Sequence, residues 1–364
     1  MIHVHSLGRA ARYYSDRTAL ASARERSTFR ELHNRVARIA GALARQGFKA
    51  GDRLAILLPN EPDYIQLVYA CAWLGVTAVP LNTRLAVKEI EGILTDAQPR
   101  GLVRHSSLPV PTAQVSWQLV LDQEPLDAQS DSIPDPIYEP HAILALIYTS
   151  GTTGRPKGVE IRHANILENV YHTNFWFPLE EGAVHLHAAP IFHIADFPFM
   201  FAAPAFGACQ GTIPKFNPQT FCETAQRERV THTVLVPTMI NMLTQFPELQ
   251  KYDLSSLRHL GYGGSPMAPE LVHRTRQVLP NVKLVQVYGL SEAGFLSGLM
   301  NHEHTEDKLT SCGRPCMGID MRVVDPTGKE VETGKTGELV ARGANIMRSY
   351  WNKPEETKLA FRNG

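Results

Sequence analysis

Only five of the 364 residues are cysteine, Cys71, Cys209, Cys222, Cys312 and Cys316, an odd number scattered over the chain. Such spacing makes no disulfide framework and fits a reducing compartment, so a cytoplasmic location is expected. Cys312 and Cys316 stand near His302 and His304, but the spacing matches no CxxC pair and no second pair exists. Unpaired thiols and surface histidines are therefore expected there. Net charge is also missing: 36 basic and 36 acidic residues cancel. No field argues for a nucleic acid or an anionic membrane as partner. The first residues, Met1 to Leu7, lack an apolar stretch of signal-peptide length. Only Ile191 to Cys209 approaches the length of a membrane span, and it contains His193, Asp196, Pro198 and Pro204. Charge and proline are costly in a spanning helix, so a buried helix beside an apolar pocket is expected. There is no internal repeat and no low-complexity tract.

What is present is ordinary for a globular chain, with 43% hydrophobic residues. At about 150 residues per domain the length suggests two or three units with a large core. Thr28-x-x-Glu31 is a capping box opening a helix with Leu32, Val36, Ile39, Ala40 and Leu43 on one face. A strand at Leu54 to Leu58, a helix from Asn60-Glu61-Pro62 to near Gly75 and a strand at Val76 to Leu81 follow. This alternation predicts an α/β fold of parallel-type sheets flanked by helices. Residues 107–140, rich in Pro, Gln, Asp and Ser, read as a surface linker or irregular crossing. Further strands are expected at Ala142 to Ile147, Val184 to Ala188, Thr233 to Val236 and Leu284 to Val287. Helices are expected at Pro218 to Arg229, Thr238 to Phe246 and Pro269 to Leu279. Beyond His302, Asp320 to Asp325 and Gly337 to Arg342 predict strands of a small β-rich unit.

The densest chemistry lies in Tyr148-Thr149-Ser150-Gly151-Thr152-Thr153-Gly154-Arg155-Pro156-Lys157-Gly158, directly after the Ala142 strand. Glycines let the backbone turn and bring N–H groups to a ligand, while the hydroxyls and lysine add donors and charge. A polyphosphate cradle at a strand exit is predicted. It is not a Walker P-loop, because Pro156 precedes Lys157 and Gly158 follows it. The alternative is a solvated Ser/Thr/Gly turn.

This stretch resembles the phosphate-loop signature of the adenylate-forming superfamily of acyl- and aryl-CoA ligases, luciferases and peptide-synthetase adenylation domains. Gln286-Val287-Tyr288-Gly289-Leu290-Ser291-Glu292 resembles a second signature. Gly337-Glu338-Leu339 through Gly343, with Tyr350-Trp351-Asn352-Lys353-Pro354-Glu355-Glu356-Thr357, resembles a third. The resemblance runs in order from about Asp52 to the last residue. It implies an α/β adenylation core over 1–301, in two subdomains with breaks near 107–140 and around 180–190. A small distorted β-barrel subdomain over 302–364 would follow. It also implies that a ribose-binding aspartate and a small C-terminal domain with a catalytic lysine would come after Gly364. The chain is accordingly expected to be the large N-terminal domain, cut near the hinge.

The same resemblance implies the site. ATP phosphates would be held by Ser150, Gly151, Thr152, Thr153, Gly154 and Lys157, with Thr152 and Lys157 acting in catalysis. Mg²⁺ would take Glu292, and Thr149 is a plausible oxygen partner. Glu292 could equally be a charge at a helix N-terminus capped by Ser291. The superfamily often has Thr at Ser291, and both carry a hydroxyl. Gly263, Gly264 and Ser265 would line adenine and the acyl carboxylate; as a glycine pair they also suit a strand-to-helix turn. Tyr288 would stack on adenine beside Gln286, Val287 and Gly289. His193, in Pro190-Ile191-Phe192-His193, would sit at the carboxylate and thioester channel; a histidine in an apolar run is also an ordinary hydrogen-bonded core residue. Phe197 falls where long-chain ligases carry an aromatic gate, with core filling the stronger reading, and Val236 joins the substrate-binding set. Lys215 matches a lysine that contacts CoA in some relatives, and is otherwise a solvated surface lysine.

The expected activity is that of an AMP-forming acyl-CoA ligase using ATP, Mg²⁺ and CoA. It would turn a fatty or aryl acid into an acyl adenylate and pass the acyl group to CoA, the fragment itself binding its ligands but poorly active. The alternatives are an ATP- and acyl-binding module without ligase activity of its own, or an adenylation domain. A generic P-loop phosphotransferase is disfavoured by the Pro156-Lys157-Gly158 order.

Overall fold

The computed structural model describes residues 3–112, 115–126, 133–137, 139–149 and 156–362. Strands β1 (Thr18–Ala21) and β2 (Arg26–Thr28) open the chain. The next six are β3 (Arg53–Leu57), β4 (Thr77–Pro80), β5 (Gly101–Arg104), β6 (Trp117–Val120), β7 (Ile143–Thr149) and β8 (Lys157–Arg162). These six form one sheet in the order β6-β5-β3-β4-β7-β8, parallel except for β8, which returns antiparallel beside β7.

The nine-stranded sheet adds β9 (Val184–His187), β10 (Cys209–Thr212), β11 (His232–Leu235), β12 (His259–Tyr262), β13 (Lys283–Leu290), β14 (Gly294–Leu299) and β15 (Arg314–Pro315). Its order is β15-β14-β13-β12-β11-β9-β10-β1-β2, with a parallel centre and antiparallel edges. Helices cover both sheets, the α/β architecture expected from the alternation. Strands β16 (Asp320–Val324) and β17 (Glu338–Arg342) form a separate antiparallel pair, and no closed barrel is present among the described residues. No helix among the described residues is long and apolar enough to cross a membrane.

The local signals act as the sequence predicts. Thr28 Oγ1 accepts from Glu31 N at 3.2 Å and Glu31 Oε2 accepts from Thr28 N at 2.8 Å, so the helix Phe29–Arg45 begins where its capping box stands. That helix buries Leu32, Val36, Ile39, Ala40 and Leu43. Helix Pro62–Leu74 stops at Gly75, whose φ of 66° suits a glycine.

Two expectations change. The polar stretch 107–140 contains β6, which adds to the edge of the six-stranded sheet beside β5; hydrogen bonding to a preformed neighbour outweighs a weak local signal. The apolar run from Ile191 to Cys209 is helical only over Phe199–Ala205. Turns occupy the preceding residues and Cys209 already starts β10. Phe199, Met200, Phe201, Ala202 and Ala203 are fully buried, so the run is core.

Candidate active site

Two hairpins and one returning segment build the site. In the first hairpin Thr149, at the end of β7, pairs with Lys157, at the start of β8. Residues Ser150, Gly151, Thr152, Thr153 and Gly154, expected to hold phosphates, lie outside the described residues. The second hairpin joins β13 to β14 through Ser291, Glu292 and Ala293. Ser291 and Glu292 are thus in a turn between antiparallel strands, which removes the helix-capping alternative. The pairing shifts register between Tyr288 and Gly289, and a Cβ on Gly289 would run into the Gly294 carbonyl oxygen. The turn closes only around a glycine at that point.

Three asparagines hold this turn. Asn169, on the helix His163–Trp176, accepts from Phe295 N at 2.9 Å and donates to Ala293 O at 3.3 Å. Asn345 donates to Ala293 O at 2.7 Å. Asn165 donates to Ala344 O and Ile346 O, both at 2.8 Å, fixing the segment that carries Asn345. All three are buried, and sequence reading missed them. The available signal was Asn165 and Asn169 at i and i+4, one face of a helix.

The returning segment brings Tyr350 to both hairpins. The Tyr350 hydroxyl donates to Glu292 Oε1 at 2.6 Å, and Lys157 Nζ lies 4.7 Å from the Tyr350 ring centroid. Burial, and then the bond to Glu292, push the Tyr350 hydroxyl pKa well above its usual value. Among the described residues the Tyr350 hydroxyl is the one hydrogen-bond donor to the Glu292 carboxylate. Glu292, Tyr288, Met347, Tyr350 and Phe361 line a cleft of about 440 Å³. A half-buried carboxylate beside a hydroxyl and an ammonium, in an open cleft, suits a hard cation and a phosphate chain.

The predicted nucleoside residues gather at the carboxyl ends of β11, β12 and β13, adjacent parallel strands. This is where open α/β sheets bind ligands. A Cβ on Gly263 would strike Val287 O, so the backbones meet there, and Gly264, with φ of 77°, faces Val236. Gly264, Ser265 and Tyr288 are exposed, and Gln286 is half-buried, receiving a weak 3.5 Å bond from the Tyr262 hydroxyl.

The remaining predicted residues are placed elsewhere. His193 is exposed on the turn after β9; its Nδ1 accepts from Ala195 N at 3.2 Å, and its carbonyl accepts from Asp196 N and Phe197 N at 3.1 Å. Phe197 is fully buried against Phe201 and lines neither cleft. Lys215 opens into a second cleft of about 420 Å³, with Arg24, Arg84, His105 and Phe192 among its walls and no residue in common with the first. Behind the His193 turn, Asp196 accepts from His185 Nε2 at 3.0 Å and from His187 Nδ1 at 2.8 Å, all three wholly buried. Burial works to raise the Asp196 pKa, but the two imidazoles outweigh it and hold it below the usual carboxylate range.

Comparison with known proteins shows the family and the fold. Feruloyl-CoA synthase of Amycolatopsis sp. is 34% identical over 362 residues, 98% of this chain and 73% of that protein. The inhibitor-bound N-terminal domain of FACL13 from Mycobacterium tuberculosis superposes with a TM-score of 0.90 at 29% identity, covering 100% of this chain and 94% of that one. o-Succinylbenzoate CoA synthetase from Bacillus subtilis, bound to its acyl-adenylate intermediate, gives a TM-score of 0.89 at 28% identity over 99% and 93%. The family described as AMP-binding enzyme matches residues 7–351. The chain belongs to this family of AMP-binding, adenylate-forming enzymes.

Proposed function

We propose that this chain is the acid-activating part of an AMP-forming acyl-CoA ligase, joining a fatty or aryl acid to AMP before transfer to CoA. One observation carries the reading: Lys157 and Glu292, 135 residues apart in sequence, meet on Tyr350, which with Glu292 lines a cleft. A carboxylate attacking an α-phosphate brings two anions together, so the site must present positive charge and donors where charge builds. Lys157 offers an ammonium to the phosphates, and Thr149 faces it across the β7–β8 hairpin. Glu292 and Thr149 supply oxygen donors of the kind magnesium takes, and the ion when bound would neutralise phosphate charge. Tyr288, Gln286, Val287, Gly263 and Gly264 offer a groove for the nucleoside at the strand ends. The acid would enter from the side of Val236 and His193.

Two further features support the choice of substrates. An amino-acid substrate would need a free carboxylate for its ammonium group. Asp196, the sequence candidate, is fully buried and already bound by two histidines. The second cleft, with Arg24, Arg84 and Lys215, has the charge to receive the phosphates of CoA.

The test is pyrophosphate release by the full-length protein across acid classes. Fatty or aryl acids are expected to give pyrophosphate and AMP. Turnover with amino acids alone, or formation of ADP, would reject the proposal.

A further inference from the structure

Residues Ser349 to Trp351 run along β8 as an added edge. Glu160 N donates to Ser349 O at 2.9 Å, Trp351 N donates to Gly158 O at 2.7 Å, and Val159 bridges Tyr350. Tyr350 N donates to Thr357 Oγ1 at 3.0 Å, and Trp351 Nε1 donates to Asp96 O at 3.1 Å. The Tyr350 backbone is therefore held from both sides, and its side chain is 8% exposed. Its two functional halves point to different groups: the hydroxyl to Glu292, the ring face to Lys157.

A lysine and a glutamate brought to one tyrosine would ordinarily pair, and a direct pair would remove both charges from any ligand. No Lys157–Glu292 ion pair forms among the described contacts; the phenol lies between them. The ring satisfies the ammonium through its π face, a contact a phosphate can displace or share. The hydroxyl donates to Oε1 in a short, charge-assisted bond that restrains the Glu292 carboxylate, itself part of the cleft wall.

We propose that Tyr350 is a positioning residue with two separable tasks: its hydroxyl orients Glu292 for a divalent cation, and its ring keeps Lys157 apart from Glu292 and available to phosphate. The inference rests on the ligase reading above. It assigns a role to a residue for which the motif comparison gave none.

Two variants of the full-length protein separate the tasks. Tyr350→Phe keeps the ring and removes the hydroxyl; Tyr350→Leu removes both. Metal-free ATP binding is measured by calorimetry, and Mn²⁺ binding to the ATP complex by the electron-spin-resonance signal of free Mn²⁺. Tyr350→Phe is expected to bind metal-free ATP within about twofold of wild type, because its ring still holds Lys157. Its Mn²⁺ affinity is expected to fall about tenfold. Tyr350→Leu is expected to lose about tenfold in both, as Lys157 and Glu292 collapse onto each other. Unchanged Mn²⁺ affinity in Tyr350→Phe, or equal losses of ATP and Mn²⁺ binding in that variant, would overturn the proposal. Tyr350→Phe decides alone should Tyr350→Leu fail to fold. If wild type binds neither ATP nor Mn²⁺, the ligase reading falls and this one with it; if wild type binds both and Tyr350→Phe matches it, this one falls alone.

Discussion

A methyl group on Gly289 has nowhere to go, because the Gly294 carbonyl oxygen occupies the space. Gly289→Ala would have to open the hairpin that presents Glu292. We expect a stability loss of about 2–3 kcal/mol in urea unfolding and a larger fall in pyrophosphate release than in folded content at low temperature. Lys157 and Glu292 stood out in the sequence as candidates because each stands in a dense motif whose residue types all suit one chemistry. Tyr350 stands in a motif too, but a motif does not say which way a ring faces. Phe197 shows the converse: an aromatic residue at a meaningful spacing can still be plain core, and it is fully buried against Phe201.

At the scale of elements, the helix His163–Trp176 acts as the bracket of the site. Its Asn169 side chain accepts from Phe295 N and donates to Ala293 O, which Asn345 also reaches. Asn169→Ala removes the buried acceptor of Phe295 N, while Asn345 still donates to Ala293 O, so a loss of about 1–3 kcal/mol is expected in chemical unfolding. Metal-dependent ATP binding should weaken more than metal-free binding, since the Glu292 turn loosens while Lys157 sits on another hairpin; calorimetry with and without Mn²⁺ checks this. The helix starting at Phe29 was legible because cap and periodicity are local. Strand β6 was not, since a four-residue edge strand in polar surroundings exists through its neighbour β5.

For the whole molecule, burial of histidines sets the response to acid. Burial pushes His163 and His259 down to about 4 and His185 well below its ordinary value, even with Asp196 opposing the shift for His185. These groups fold as neutral imidazoles. Their contribution is therefore complete above the unfolded value of about 6.5 and is lost as pH falls from there toward about 4. Melting temperature is expected to be flat near neutrality and to fall steeply between about pH 6 and 4. Replacing His259, half-buried beside His232, with Asn should make that fall shallower; differential scanning calorimetry across pH reads both.

The sequence by itself determined what is local or chemically dense: the capped helices, the alternation that makes parallel sheets, and the types of group a polyphosphate site needs. Tertiary structure alone decided which of these groups come together. Lys157 and Glu292 come together because β8 and the β13–β14 hairpin are both tied to the segment around Tyr350. Lys215, no less plausible in sequence, faces a different cleft with arginines around it. The physical reason is that side-chain direction and long-range pairing follow from how sheets stack and which backbone groups must find partners, and neither is written in the spacing of residues along the chain.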